Sequence, residues 1–172
     1  HHIFKEKFPS ISIRIPQTIV IGTESFDKFL LHNNLYNIAL SNSSDYQIKQ
    51  AFTSALLPHQ LREDLRFILT YYKTPLAVRS SNILEDSHYQ PYAGVFSTYM
   101  IPNQGNIERR LHELTTAIKL VYASAYFQVA KSYAERIGHT MEESKMAVII
   151  QKVVGNQYSD RYYPSFSGNA AS

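Results

Sequence analysis

The run Pro75-Leu76-Ala77-Val78-Arg79-Ser80-Ser81 places a guanidinium directly after four apolar residues. An arginine in that position is held at the edge of a core, where its planar fork can engage phosphate or carboxylate oxygens through two hydrogen bonds. Ser80 and Ser81 add hydroxyls beside it, and Glu85-Asp86-Ser87 follow in the next polar stretch. Two uses of Arg79 are open at this point. It binds an anionic ligand, or it pairs with Glu85 or Asp86 across the loop and pins a hairpin. A second candidate is Tyr92-Ala93-Gly94-Val95-Phe96-Ser97-Thr98, where small residues would let backbone amides approach an anion that a bulky side chain would block. The same run also reads as a bulge or turn at the start of a strand.

Composition bounds what these residues can be part of. The chain has 172 residues, 44% of them hydrophobic and 18% charged, with 13 Tyr and 9 Phe. That is enough apolar surface for a real core and excludes disorder as the main state. The absence of Cys rules out a disulfide scaffold, a zinc ribbon and a thiol nucleophile. A net charge of +3 is too mild to point to nucleic acid. Six scattered glycines exclude a phosphate cradle of adjacent glycines. No apolar run is long enough to span a membrane and no leader pattern is seen, so a cytoplasmic protein without membrane partners is expected. His1 and His2 are too few to distinguish a tag from native sequence. The histidines at 32, 59, 88, 112 and 139 lack metal-type spacing, and no metal site is predicted. Arg109-Arg110, Lys119 and Lys131 read as a solvated face. The tyrosine clusters at 71–72, 89–92 and 162–163 read as packing surfaces, because no basic stripe runs between them.

The elements that must position Arg79 and Gly94 follow from periodicity. Ile11, Ile13 and Ile15 alternate with polar residues before Pro16, and Thr18 to Ile21 is a short β-rich run. Thr23 is placed to cap a helix carrying Phe26, Phe29 and Leu30. Residues 37–44 form a polar connector. Helices are then expected from Asp45 up to Pro58, and from Pro58 through Leu61, Leu65, Leu69 and Tyr72. Residues 75–80 are a strand, 81–92 a loop, and 94–101 a second strand of a hairpin. Asn106 caps one long helix running to about Ile137, closed by Gly138. The β-branched run from Lys145 to Val154 is a buried strand. This order argues an α+β fold, with helices covering one face of a mainly antiparallel sheet.

These motifs taken together resemble the N-terminal ATP-grasp nucleotide-binding domain of the pyruvate phosphate dikinase and phosphoenolpyruvate synthase family. The likeness rests on Ala77-Val78-Arg79-Ser80-Ser81, Glu85-Asp86-Ser87, Tyr92-Ala93-Gly94 and Thr98-Tyr99. It extends to Ile15-Pro16-Gln17-Thr18-Ile19-Val20-Ile21-Gly22-Thr23 and to Met146-Ala147-Val148-Ile149-Ile150-Gln151-Lys152-Val153-Val154, and covers about residues 11 to 169.

The resemblance implies that Arg79 contacts nucleotide phosphates and is the catalytic residue. Gly94 with the amides of Val95 and Phe96 would form the loop over the phosphates. Gln151 would lie near the adenine, and Glu85 and Asp86 would organise the loop. It further implies ATP as ligand, with magnesium in the full-length protein. There ATP would phosphorylate a histidine on another domain of the same chain, for transfer to pyruvate at a third. The family's upstream Gly-Gly-Lys segment has no match in these residues, and its metal-binding carboxylates would come after Ser167-Gly168. Residues 1–172 are therefore expected to be one partial domain, inactive and weak in ATP binding when isolated. A non-catalytic binding or regulatory module built on the same scaffold is the alternative, motivated by the missing lysine segment and by Val95-Phe96-Ser97 where the family carries polar residues.

Overall fold

A computed structural model describes residues 14–82, 96–136, 138, 140–141 and 144–168. Four strands make one antiparallel sheet: β1 (Thr18–Ile21), β2 (Leu76–Ser81), β3 (Thr98–Ile101) and β4 (Ala147–Lys152), in the spatial order β1-β4-β2-β3. A separate two-stranded hairpin, β5 (Asn156–Tyr158) and β6 (Arg161–Tyr163), follows at once. The helices are α1 (Thr23–His32), α2 (Tyr36–Leu40), α3 (Asp45–Ser54), α4 (His59–Tyr71), α5 (Ile107–Ser124) and α6 (Gln128–Arg136). The expected α+β fold, with an antiparallel sheet under a helical cover, is what forms.

Strand pleating sorts the sheet residues onto two faces. In register across the sheet stand Ile19, Ile150, Val78 and Tyr99, and on the same face Ile21, Val148, Leu76 and Ile101. These residues join Phe26, Phe29, Leu30, Phe52, Leu65, Leu69, Leu114, Ile118 and Tyr122 in one core. Rings supply much of its volume: Phe26 meets Tyr122 edge-on at 5.0 Å between centroids, and Phe29 meets Phe52 the same way at 5.8 Å. Such pairs add about 0.5–1.5 kcal/mol each beyond the area they bury. The helices thus occupy one side of the sheet. Its other side carries Thr18, Val20, Ala77, Arg79, Thr98, Met100, Ile149 and Gln151.

Several local expectations are corrected. Thr23 is the first helical residue of α1, and Gly22 takes the cap position with no side-chain hydrogen bond. Residues 36–40 are not connector but the short helix α2, drawn into helical form because Ala39 is buried and Tyr36 and Ile38 pack on the core. Ser44 makes a full capping box with Gln47 at the start of α3, and that helix stops at Ser54, short of Pro58. The long helix expected to reach Ile137 is two helices. Ser124 is fully buried, and its hydroxyl donates back to the Val121 carbonyl at 2.7 Å while accepting from Ser97 N. The chain restarts at Gln128, whose amide is capped by Asp45 Oδ1 from α3 at 2.8 Å. Asn106 does cap α5, accepting from Arg109 N at 2.9 Å. The expected strand over Ile11 to Ile15 and residues 83–95 of the loop and hairpin fall mostly or wholly outside the described residues.

Candidate functional site

Arg79 sits three residues into β2, directly across from Ile149 on β4 and Thr98 on β3. Its neighbours on the strand, Val78 and Ser80, point into the core and are buried, so the pleat sends the Arg79 side chain to the opposite, helix-free face, where it is exposed. A buried strand therefore aims this guanidinium, as the run of apolar residues before it suggested. Among the described residues, no carboxylate forms an ion pair with it. Glu85 and Asp86, the loop partners considered for it, lie outside the described residues, as do Gly94 and Val95.

Gln151 is on the same face. It stands in register with Thr18 on one side and Ala77 on the other, so it lies diagonally from Arg79, two residues along the strands and about 7 Å away in the strand direction. Its amide Nε2 donates to Thr18 Oγ1 at 3.1 Å, which steadies the side chain across β1 and β4. Thr98 and Thr18 stand directly beside these two polar groups, and the rest of the face is apolar and open. Val20 is 62% exposed and Met100 69%, with half-buried Ile149 between β1 and β2. An open, largely apolar surface carrying one cation and one amide about 7 Å apart along the strands can hold a ligand that combines a planar apolar part with an anionic part.

Phe96, just before β3, packs its ring against the core.

The lower edge of the same sheet is built by the ends of all four strands. There Lys152 N donates to Gln17 O at 2.9 Å and Val153 N to Pro75 O at 3.0 Å, tying the end of β4 to both neighbours. Two clefts open on either side of this junction. One, of about 570 Å³, lies among Lys73, Met100, Pro102, Val153, Arg161 and Tyr162. The other, of about 700 Å³, lies among Arg14, Pro16, Lys152, Val154, Gly155 and Tyr162. Tyr162 borders both, a role that the sequence did not flag.

The sequence also missed the group that holds the start of β2. Arg110, expected on a solvated face, is buried at 4% exposure. Its Nε donates to Asn103 Oδ1 at 2.9 Å and its Nη2 to the Leu69 and Tyr72 carbonyls at the end of α4. Asn103 in turn donates Nδ2 to Tyr72 O at 2.9 Å and Thr74 O at 2.8 Å. Carbonyls at a helix C-terminus are a favourable seat for a cation. The cluster clamps the α4–β2 turn to the β3–α5 turn, and so fixes where β2 begins. Lys119 and Lys131 are likewise not merely solvated, since each ammonium donates to a backbone carbonyl, Thr53 O at 3.0 Å and Ser41 O at 2.5 Å.

Magnesium is held by oxygen ligands, chiefly carboxylates. The open face carries no Asp or Glu among the residues in register on it, and no group of three or more potential ligands gathers among the described residues. These residues do not by themselves make a magnesium site.

Residues 4–171 match the family model of the pyruvate phosphate dikinase AMP/ATP-binding domain, and the chain belongs to that family. It is also similar to the phosphoenolpyruvate synthase of Aeropyrum pernix, 24% identical over 168 aligned residues. That match takes in 86% of this chain and 20% of the archaeal enzyme, so the chain spans about a fifth of that relative. No helix among the described residues is long and apolar enough to cross a membrane.

Proposed function

We propose that this domain binds ATP along the open face of the sheet, as the nucleotide-binding part of a larger phosphotransferase related to phosphoenolpyruvate synthase. The single observation that carries the reading is the placement of Arg79 and Gln151 on one face, two residues apart along adjacent core strands. Arg79 neutralises phosphate charge with its fork. Gln151 and the chain after it meet the base, and the apolar surface of Val20 and Ile149 covers the sugar and ring. Gly94 and the amides of Val95 and Phe96 close over the phosphates from the β2–β3 connection. In the complete enzyme ATP phosphorylates a histidine on a second domain, and the phosphoryl group passes from there to pyruvate on a third. Magnesium is supplied by residues other than those on this face, and residues 1–172 serve as one part of the full nucleotide domain.

The test is Arg79→Ala in the full-length protein. ATP-dependent phosphorylation of the protein is expected to fall by orders of magnitude with the fold unchanged. Unaltered nucleotide affinity and turnover would overturn the assignment.

One observation favours a second reading, a non-catalytic module on the same scaffold. Phe96 turns its ring into the core where the family pattern has polar residues, which removes a side-chain contact to phosphate. A full-length protein with no phosphorylatable histidine domain, and with ATP affinity but no phosphoryl transfer, would establish it.

A further inference from the structure

A third cleft lies on the helical side of the protein, away from Arg79. It measures about 350 Å³ and opens between α5 and the turn joining α3 to α4. Glu108, His112, Thr115 and Lys119 line it from α5, at spacings of four, three and four residues that make one stripe along the helix. Arg62 faces them from α4, and Leu56 and Leu57 form the remaining wall. Positive charge dominates. The one carboxylate, Glu108, is already held by both Nη atoms of Arg66, Nη2 donating to Oε2 at 3.3 Å. The Arg62 guanidinium makes no hydrogen bond to another described residue, although all its donors are available in a fixed plane. Lys119 uses one of its three donors on Thr53 O at 3.0 Å. Burial and the neighbouring Arg62 charge both push the Lys119 ammonium toward its neutral form, so two cations crowd this space, and the carboxylate whose charge Arg62 also feels, Glu108, is hydrogen-bonded to Arg66.

We propose that this cleft binds a small dianionic phosphate, free or as the monoester of a small metabolite, between Arg62 and Lys119. Arg62 gives the fork, Lys119 the point charge, and the Thr115 hydroxyl and His112 imidazole complete a polar floor. Leu56, 73% exposed, offers an apolar surface to the organic part of a monoester. The site is independent of the nucleotide face and survives if that reading fails.

The protein is titrated with sodium phosphate and, separately, glycerol 3-phosphate, each against sodium chloride of equal ionic strength. The nitrogen resonances of the Arg62 Nε and the Lys119 Nζ are followed, together with Tm. Saturable shifts at both nitrogens and a rise of about 2–4 °C in Tm are expected. Arg62→Gln removes an exposed group without a described hydrogen bond, so it should fold normally and weaken binding about tenfold or more. Arg79→Ala should leave it unchanged. Tighter binding of glycerol 3-phosphate assigns a monoester, and equal binding assigns free phosphate. No saturable shift at these nitrogens, or a binding loss that follows Arg79→Ala and not Arg62→Gln, overturns the proposal.

Discussion

Arg110 and Asn103 hold one another inside the protein, the guanidinium Nε donating to Asn103 Oδ1 at 2.9 Å while Asn103 Nδ2 donates to Tyr72 O and Thr74 O. Asn103 adopts a φ of 55°, a left-handed conformation that asparagine tolerates better than most residues. Arg110→Met would leave the Leu69 carbonyl and Asn103 Oδ1 buried without their donor. A loss of about 2–4 kcal/mol is expected, read as a lower urea midpoint with unchanged slope. An unaltered midpoint would mean that these oxygens find other donors.

Arg79→Ala should behave in the opposite way. The side chain is exposed and supports no packing, so stability should stay within about 0.5 kcal/mol of the parent. ATP affinity, by calorimetry on the full-length protein, should fall at least about tenfold, because a charge-assisted fork is lost. Arg79→Lys should restore only part of it, since a point charge cannot grip two oxygens in one plane.

Gly155 is a position where any side chain collides. Its φ is 156°, and an added Cβ would lie 2.6 Å from the Tyr163 carbonyl carbon and oxygen. Gly155→Ala is expected to push the β5–β6 hairpin off the end of β4. The stacked pair Tyr158 and Tyr163, 4.5 Å between centroids, should then give an altered near-ultraviolet circular dichroism signal, while core Tyr122 stays ordered. A spectrum identical to the parent would sink this expectation.

Arg66 beside Glu108 holds that carboxyl below its ordinary value of 4.5, through the hydrogen bond first and the charge second. A carboxyl lowered in the folded state stabilises above its unfolded pKa and loses that contribution as pH falls through the folded one. The contribution should therefore be present above about pH 4.5 and disappear in more acid solution. Glu108 is exposed and Arg66 half-exposed, so high salt should weaken it. A carbon-13 titration should show the Glu108 midpoint rising in Arg66→Gln, with the smaller effect of the Arg62 charge left in place. No movement would show that the pair does not persist in solution.

What the sequence made legible was the part controlled by local pattern. The apolar run 75–78 forced a buried strand, and the strand's two-residue period then decided where Arg79 would point. The β-branched run before Gln151 did the same for β4. Long-range contacts decided the rest. The break between α5 and α6 depends on Ser97 reaching Ser124 and on Asp45 capping Gln128 from 83 residues away, neither of which leaves a mark on helical periodicity. Arg110 did carry a readable sign. It falls on the same helical stripe as Leu114, Ala117 and Val121, and a charge on an apolar stripe announces a buried partner. Reading it as one of an adjacent basic pair hid that.

The strand order β1-β4-β2-β3 makes the last strand of the main sheet to be synthesised the one that sits between the first and second. On a ribosome, β1 would wait for its only neighbour, and β2 would offer one bare edge, until residues 147–152 emerge. On the order of ten seconds of translation separates β1 from β4. During that time the apolar residues of two strands depend on helix cover or on chaperones, and a nascent chain cut before β4 should aggregate and not fold to a smaller domain.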